Sequence, residues 1–155
     1  MSLKRAMGAM KPKEGGGPGE PKGGRVKKVQ RRTRAQFIEG THRNRTIPEY
    51  TGADIVALWY QTADWQGWKV DTTSVRAENA VGARLIEAYG GPAPAASMVL
   101  AACHGDQFGL EKPRKLSWLI PGNEYSDRVL VLYGALLDVA AAELPGVTAA
   151  VRMNL

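Results

Sequence analysis

The sequence predicts an all-α protein, a small helical domain of four to five helices with a disordered basic amino-terminal arm. Three observations lead there. Charge divides the 155-residue chain: residues 1–47 hold thirteen Lys/Arg against three acids, and residues 48–155 hold eight against twelve. Ten of the eleven aromatic residues lie at or beyond Tyr50, so the side chains that build a core are concentrated in the second part. Apolar residues there recur at intervals of three and four, the spacing of one helix face, and show no convincing strand alternation. The division expected is a flexible arm over 1–47 and a helical domain over 48–155, a length that folds alone.

The arm opens with a leader. Residues 8–24 read GAMKPKEGGGPGEPKGG, with seven Gly and three Pro in seventeen positions. Such a segment buries too little apolar surface to offset about 1–2 kcal/mol of backbone entropy per residue. Its glycines do not make a phosphate loop, because Gly23 follows Lys22 where a hydroxyl residue is required and no strand precedes it. The denser stretch follows: Lys27, Lys28, Arg31, Arg32 and Arg34, then Arg43 and Arg45. These seven are the candidate nucleic-acid contacts. Like charges one helical turn apart repel, so a polyanion would help the segment fold. Arginine forks also match phosphate oxygens two-pronged. Five to seven such contacts with a duplex imply a log–log salt slope of about −4.5 to −6, with little sequence information. An acidic protein, a membrane surface or plain solvation are the other readings of this run. Membrane binding ranks low, since only Phe37 and Ile38 stand in for an interfacial apolar face.

The helices are then placed in order. Pro48 biases Ile47 toward extended backbone and closes the arm. Thr51 caps a first helix over 52–64, with Asp54 in its first turn and Ile55, Leu58, Trp59 and Thr62 on one face. Trp65 to Trp68 is a turn. A second helix over 72–89 carries Val75, Val81, Leu85, Ala88 and Tyr89, and Gly90-Gly91-Pro92 stops it. Pro94 suits the first turn of a third helix over 94–105 with Met98, Val99, Ala101 and Ala102. Leu116 to Ile120 forms a short apolar turn. The last element, 126–144, begins at Ser126 or Asp127 and is too interrupted to span a bilayer yet too apolar to lie free in water. It is read as the central core helix, or else as the contact of a homo-oligomer. Past Pro145-Gly146 the chain is a tail or a docking segment.

Chemistry is sparse. One cysteine, Cys103, excludes an internal disulfide framework and a Cys-cluster zinc site. Cys103 and His104 are neighbours whose side chains diverge on a helix, read as a buried thiol beside a helix-terminal imidazole; the other histidine, His42, sits in the arm. Asp64, Asp71, Glu78, Glu87, Asp106, Glu111 and Asp138 show no metal-gathering spacing. No catalytic residue, metal ligand or cofactor is assigned, and the expectation is a non-enzyme. Trp59 and Trp118 read as core, whereas Trp65 and Trp68 read as core or as base-stacking surface. Lys112, Arg114 and Lys115 form a second basic patch that either extends the arm's footprint or is a solvated loop. Met1-Ser2-Leu3-Lys4-Arg5 leads into no apolar stretch, so no secretory signal is expected, and the expected location is cytoplasmic, in a bacterial cell or on a virion.

Ala53-Asp54-Ile55-Val56-Ala57-Leu58-Trp59 with its polar turn, Ala83 to Gly90, the Met98–Cys103 helix and Leu116 to Ile120 together resemble a helical module of phage and plasmid replication proteins, of the replisome-organiser and helicase-loader type. The likeness covers Ala53 to Ile120 and lies in helix lengths and apolar positions. It implies a helical body that docks to a replication assembly. The upstream segment here is a Gly/Pro leader and basic run, where that family usually carries a winged helix. The expected function is therefore a nucleic-acid-binding accessory protein, DNA favoured over RNA. Its arm would contact phosphates while its body docks to a larger protein assembly. The alternative is a structural subunit of a particle such as a phage virion, with the arm threaded between neighbours.

Overall fold

A computed structural model describes residues 31–144, 146 and 151 of the chain. Among them the fold is helical apart from one two-stranded ribbon. The order is α1 (Arg34–Ile38), β1 (Thr41–His42), β2 (Arg45–Thr46), α2 (Gly52–Gln66), α3 (Val75–Tyr89), α4 (Pro92–Cys103), α5 (Glu124–Val131) and α6 (Tyr133–Glu143). Short 3-10 turns lie at Ile47–Glu49, Asp106–Phe108 and Leu116–Leu119.

The centre is α4. Its sequence, PAPAASMVLAAC, has no polar face, and Ala93 and every residue from Ala95 to Cys103 are buried. A helix apolar on all sides must be surrounded, and α2, α3 and α6 pack against it. This corrects the place given to the 126–144 element, which is neither one helix nor the central one. Leu132, at φ −94° and ψ 5°, interrupts it, so α5 starts at Glu124 under an Asn123 cap and α6 starts at Tyr133. β-Branched Val129 and Val131 and then Gly134 lower helix propensity on both sides of the break. Only one face of the pair is used: Val129, Leu136, Leu137 and Ala140 are buried, whereas Leu130 and Val131 are exposed.

The caps of α2 and α3 follow from local sequence. Asp54 accepts the Thr51 backbone N–H at 2.8 Å and the Thr51 hydroxyl at 3.0 Å. Ser74 Oγ accepts Ala77 N–H at 3.1 Å, and Gly90, at φ 84°, ends α3 in the left-handed region. The expected apolar stripe of α2 is buried, and the Trp59 indole finds its partner in the Pro113 carbonyl at 2.7 Å. The two helices cross backbone to backbone. A Cβ on Gly82 would lie 2.3 Å from the Gly52 carbonyl oxygen, and one on Gly52 would lie 2.5 Å from that of Asn79.

The expected boundary at residue 47 is the main departure. Described residues expected in the arm, Phe37 and Ile47 among them, pack into the helical core. Thr33 caps α1 reciprocally, its hydroxyl accepting Gln36 N–H at 3.2 Å while Gln36 Oε1 accepts Thr33 N–H at 2.9 Å. Phe37 is fully buried, edge-on to Trp65 at 4.4 Å between ring centroids, and Ile47 is buried with it. Between them β1 and β2 form a hairpin closed by Arg43 and Asn44, both with positive φ (51° and 62°), and paired Thr41 to Thr46 and His42 to Arg45. Two left-handed residues match the twist of a two-residue hairpin, although Arg is an unusual first residue for one. At the other end Val151 is buried in the core, and a Cβ on Gly146 would lie 2.2 Å from the Ile38 carbonyl oxygen. Beyond α6, Gly146 thus lies against α1. No helix among the described residues is long and apolar enough to cross a membrane.

Candidate nucleic-acid interface

The seven arm residues separate into distinct roles. Lys27 and Lys28 lie outside the described residues, as does the side chain of Arg34, which opens α1. Arg31 is exposed and pairs with Asp64 of α2. Arg43 sits exposed at the hairpin tip, with no ion pair among the described residues.

Arg32 and Arg45 both face acceptors within the fold. Arg32 is only 5 % exposed. Its guanidinium lies over the Phe37 ring, 4.2 Å from the centroid, and Nη1 donates to the Tyr50 hydroxyl and to the Thr41 carbonyl at 3.1 Å. Burial lowers its pKa from the usual value, against the opposing pull of Tyr50 and Asp54. Arg45 closes on Asp54 with two prongs, Nε to Oδ2 and Nη2 to Oδ1, both 3.1 Å. That hydrogen bonding raises the Arg45 pKa further. In both, a guanidinium beside a fixed internal acceptor is less available to an external anion than an exposed one.

Asp54 is the hub. Its carboxylate is buried and takes four hydrogen bonds, two from Arg45 and two from Thr51. Burial alone would push this carboxyl up; the bonds from Arg45 and Thr51 outweigh it and hold the pKa below the ordinary range. His42 Nε2 stands 3.6 Å from Asp54 Oδ1, and neither ring nitrogen makes a hydrogen bond. Burial lowers the His42 pKa below the ordinary 6.5; Asp54 opposes this, and the charges of Arg32, Arg43 and Arg45 reinforce it. The unfolded chain therefore takes up a proton near pH 6.5 where the folded chain does not, so stability is complete above that pH and falls as pH drops through it. The melting temperature should decline between pH 7.5 and 5, above the range in which Asp54 titrates, and His42→Gln should remove most of that slope. A flat profile for the natural chain would contradict this placement of His42.

The second basic patch is also divided. Lys112 Nζ donates to Gln66 Oε1 at 2.8 Å and to the Cys103 carbonyl at 3.2 Å, and stands 3.6 Å from Asp106. Arg114 stacks over Trp118, 5.5 Å from the centroid, with Nε 3.4 Å from Glu111. Lys115 is exposed at the edge of a cleft that also holds Asp71 and Glu78. Carboxylates thus accompany each of the three cations. Trp65 and Trp68 are half-buried. Trp65 packs on Phe37, and the Trp68 indole donates to Gln66 Oε1 at 3.3 Å.

Cys103 is buried and its thiol is pushed up to about 12 by burial, so it stays protonated. His104 turns away from it, with Nδ1 2.7 Å from the Leu100 carbonyl and Nε2 3.4 Å from Glu143. Among the described residues no group of three or more His, Cys, Asp or Glu is placed to hold a metal ion. Sequence reasoning missed Asp54 as a hub, Tyr50 as the acceptor for Arg32, and His42 as a buried group. The one signal for a folded start was the Thr33-x-x-Gln36 capping pattern. Comparison with family models, curated proteins and solved structures finds no match.

Proposed function

We propose that this protein is a nucleic-acid-binding accessory protein. Its cationic limb is residues 1–30, and its helical body docks it to a larger replication or nucleoprotein assembly. The observation that carries the reading is the charge partition about residue 31. Residues 1–30 hold eight Lys/Arg against two acids, whereas residues 31–144 hold twelve against thirteen. The excess positive charge therefore belongs to residues 1–30, and residues 31–144 are close to balanced. Lys27 and Lys28 are the contacts nearest the fold. Arg31 joins them by exchanging Asp64 for a phosphate, since an exposed ion pair is worth only about 0–1 kcal/mol. Arg43 adds one further cation at the hairpin tip. DNA is favoured over RNA on the resemblance of Ala53 to Ile120 to replication modules alone. The chain purified at low salt should carry nucleic acid, seen as a raised ratio of ultraviolet absorbance at nucleic-acid and protein wavelengths, and should release it at high salt. A nucleic-acid-free chain at low salt would refute the reading.

The second reading, a structural subunit of a particle, is favoured by one observation, the exposed aliphatic pair at the junction of α5 and α6.

A further inference from the structure

We infer that the junction of α5 and α6 is a self-association surface through which two copies of this chain pair about a two-fold axis. Leu130 and Val131 are 49 % and 84 % exposed there. They adjoin a concavity of about 340 Å³ lined by Glu124, Asp127, Arg128, Val131 and Leu132. Four of these residues, Glu124, Asp127, Arg128 and Val131, are spaced i, i+3, i+4, i+7 and share the outward face of α5. Single exposed aliphatics are ordinary, but an adjacent pair beside an apolar hollow marks an interaction surface. Gly134 extends the surface onto α6, with no atom within 4 Å of where its Cβ would stand, so a neighbouring backbone can approach closely.

The rim selects the occupant. It carries two carboxylates and one guanidinium. A polyanion or an anionic membrane would face Glu124 and Asp127, and a strongly basic partner would face Arg128. A second copy satisfies both signs at once, because a two-fold axis sets Arg128 of each chain against Glu124 or Asp127 of the other. The same operation can bring the exposed Leu130 and Val131 of the two chains together and cover both hollows. Arg128 is available for this, since its one hydrogen bond among the described residues is a long one, 3.5 Å to the Gly109 carbonyl. Pairing would also put two cationic leaders on one particle and raise its avidity for a polyanion. That consequence depends on the proposed function; the pairing itself does not.

Sedimentation velocity on the full, nuclease-treated chain at moderate salt separates the two questions. The expected mass is twice that of the chain. Val131→Asp should raise the dimer Kd at least about tenfold while leaving the far-ultraviolet helix signal unchanged, because Val131 lies outside the core. Arg128→Glu should also weaken the dimer, and adding Glu124→Arg and Asp127→Arg to it should restore pairing, as a self-matched rim requires. A monomer at all concentrations would overturn the inference. So would a dimer indifferent to Val131→Asp, or a monomer whose oligonucleotide affinity falls with that substitution.

Discussion

Asp54→Ala should cost about 3 kcal/mol of folding stability and lower the melting temperature by about 10 °C. The carboxylate is buried, accepts four hydrogen bonds, and is the only group joining the hairpin to the start of α2 by charge among the described residues. Removing it leaves the Thr51 N–H without its reciprocal cap and leaves Arg45 and His42 facing each other across an emptied site. Asp54→Asn should fall between the natural chain and Asp54→Ala, since an amide oxygen still caps the helix but carries no charge. Arg45→Ala should be milder because Arg45 is partly exposed, and combining it with Asp54→Ala should add little, the mark of one shared interaction. Limited proteolysis would report the same event locally. In Asp54→Ala, cleavage should move into residues 31–47, whereas the natural chain should resist there. A melting temperature within about 1 °C of the natural chain would show that the hub is not what holds the hairpin.

Gly82→Ala should destabilise the fold by a net of about 1–3 kcal/mol, although alanine is the better helix former by about 1 kcal/mol. The new methyl would meet backbone, the Gly52 carbonyl at 2.3 Å, and backbone cannot rotate away as a side chain can. Relief requires α2 and α3 to separate, which loosens the packing of both on α4. Gly134→Ala, compared at a concentration low enough to keep the chain monomeric, is the control, since its Cβ meets nothing within the chain, and should be neutral or slightly stabilising. Thermal melts of the two variants side by side decide the matter, and equal stabilities would contradict the crossing.

Much of the fold was legible. The cap at Thr51, the stop at Gly90 and the proline-led start of α4 are local signals, and each appears within two or three residues of its expected place. α4 shows its centrality in its lack of a polar face. The division of 126–144 was hidden because an apolar run gives no periodicity by which a break could register. The candidate site was legible only as composition. A run of arginines announces charge but not its destination, which depends on acceptors elsewhere in the chain: Arg45 meets a carboxylate nine residues on, and Arg31 meets one thirty-three residues on. Burial of Arg32 depends on Phe37 and Tyr50, two aromatics that a charge count does not weigh.

The slope of log affinity against log salt for a mixed-sequence duplex, measured on the natural chain and on Lys27→Ala/Lys28→Ala, tests the assignment of binding to the basic residues that lead into Arg31. The predicted slope is about −3.6 or steeper, from about 0.9 for each of Lys27, Lys28, Arg31 and Arg43, flattened by about 1.8 when the two lysines are removed and unchanged between unrelated duplexes. A slope near zero, or one that the lysine changes leave intact, would contradict it.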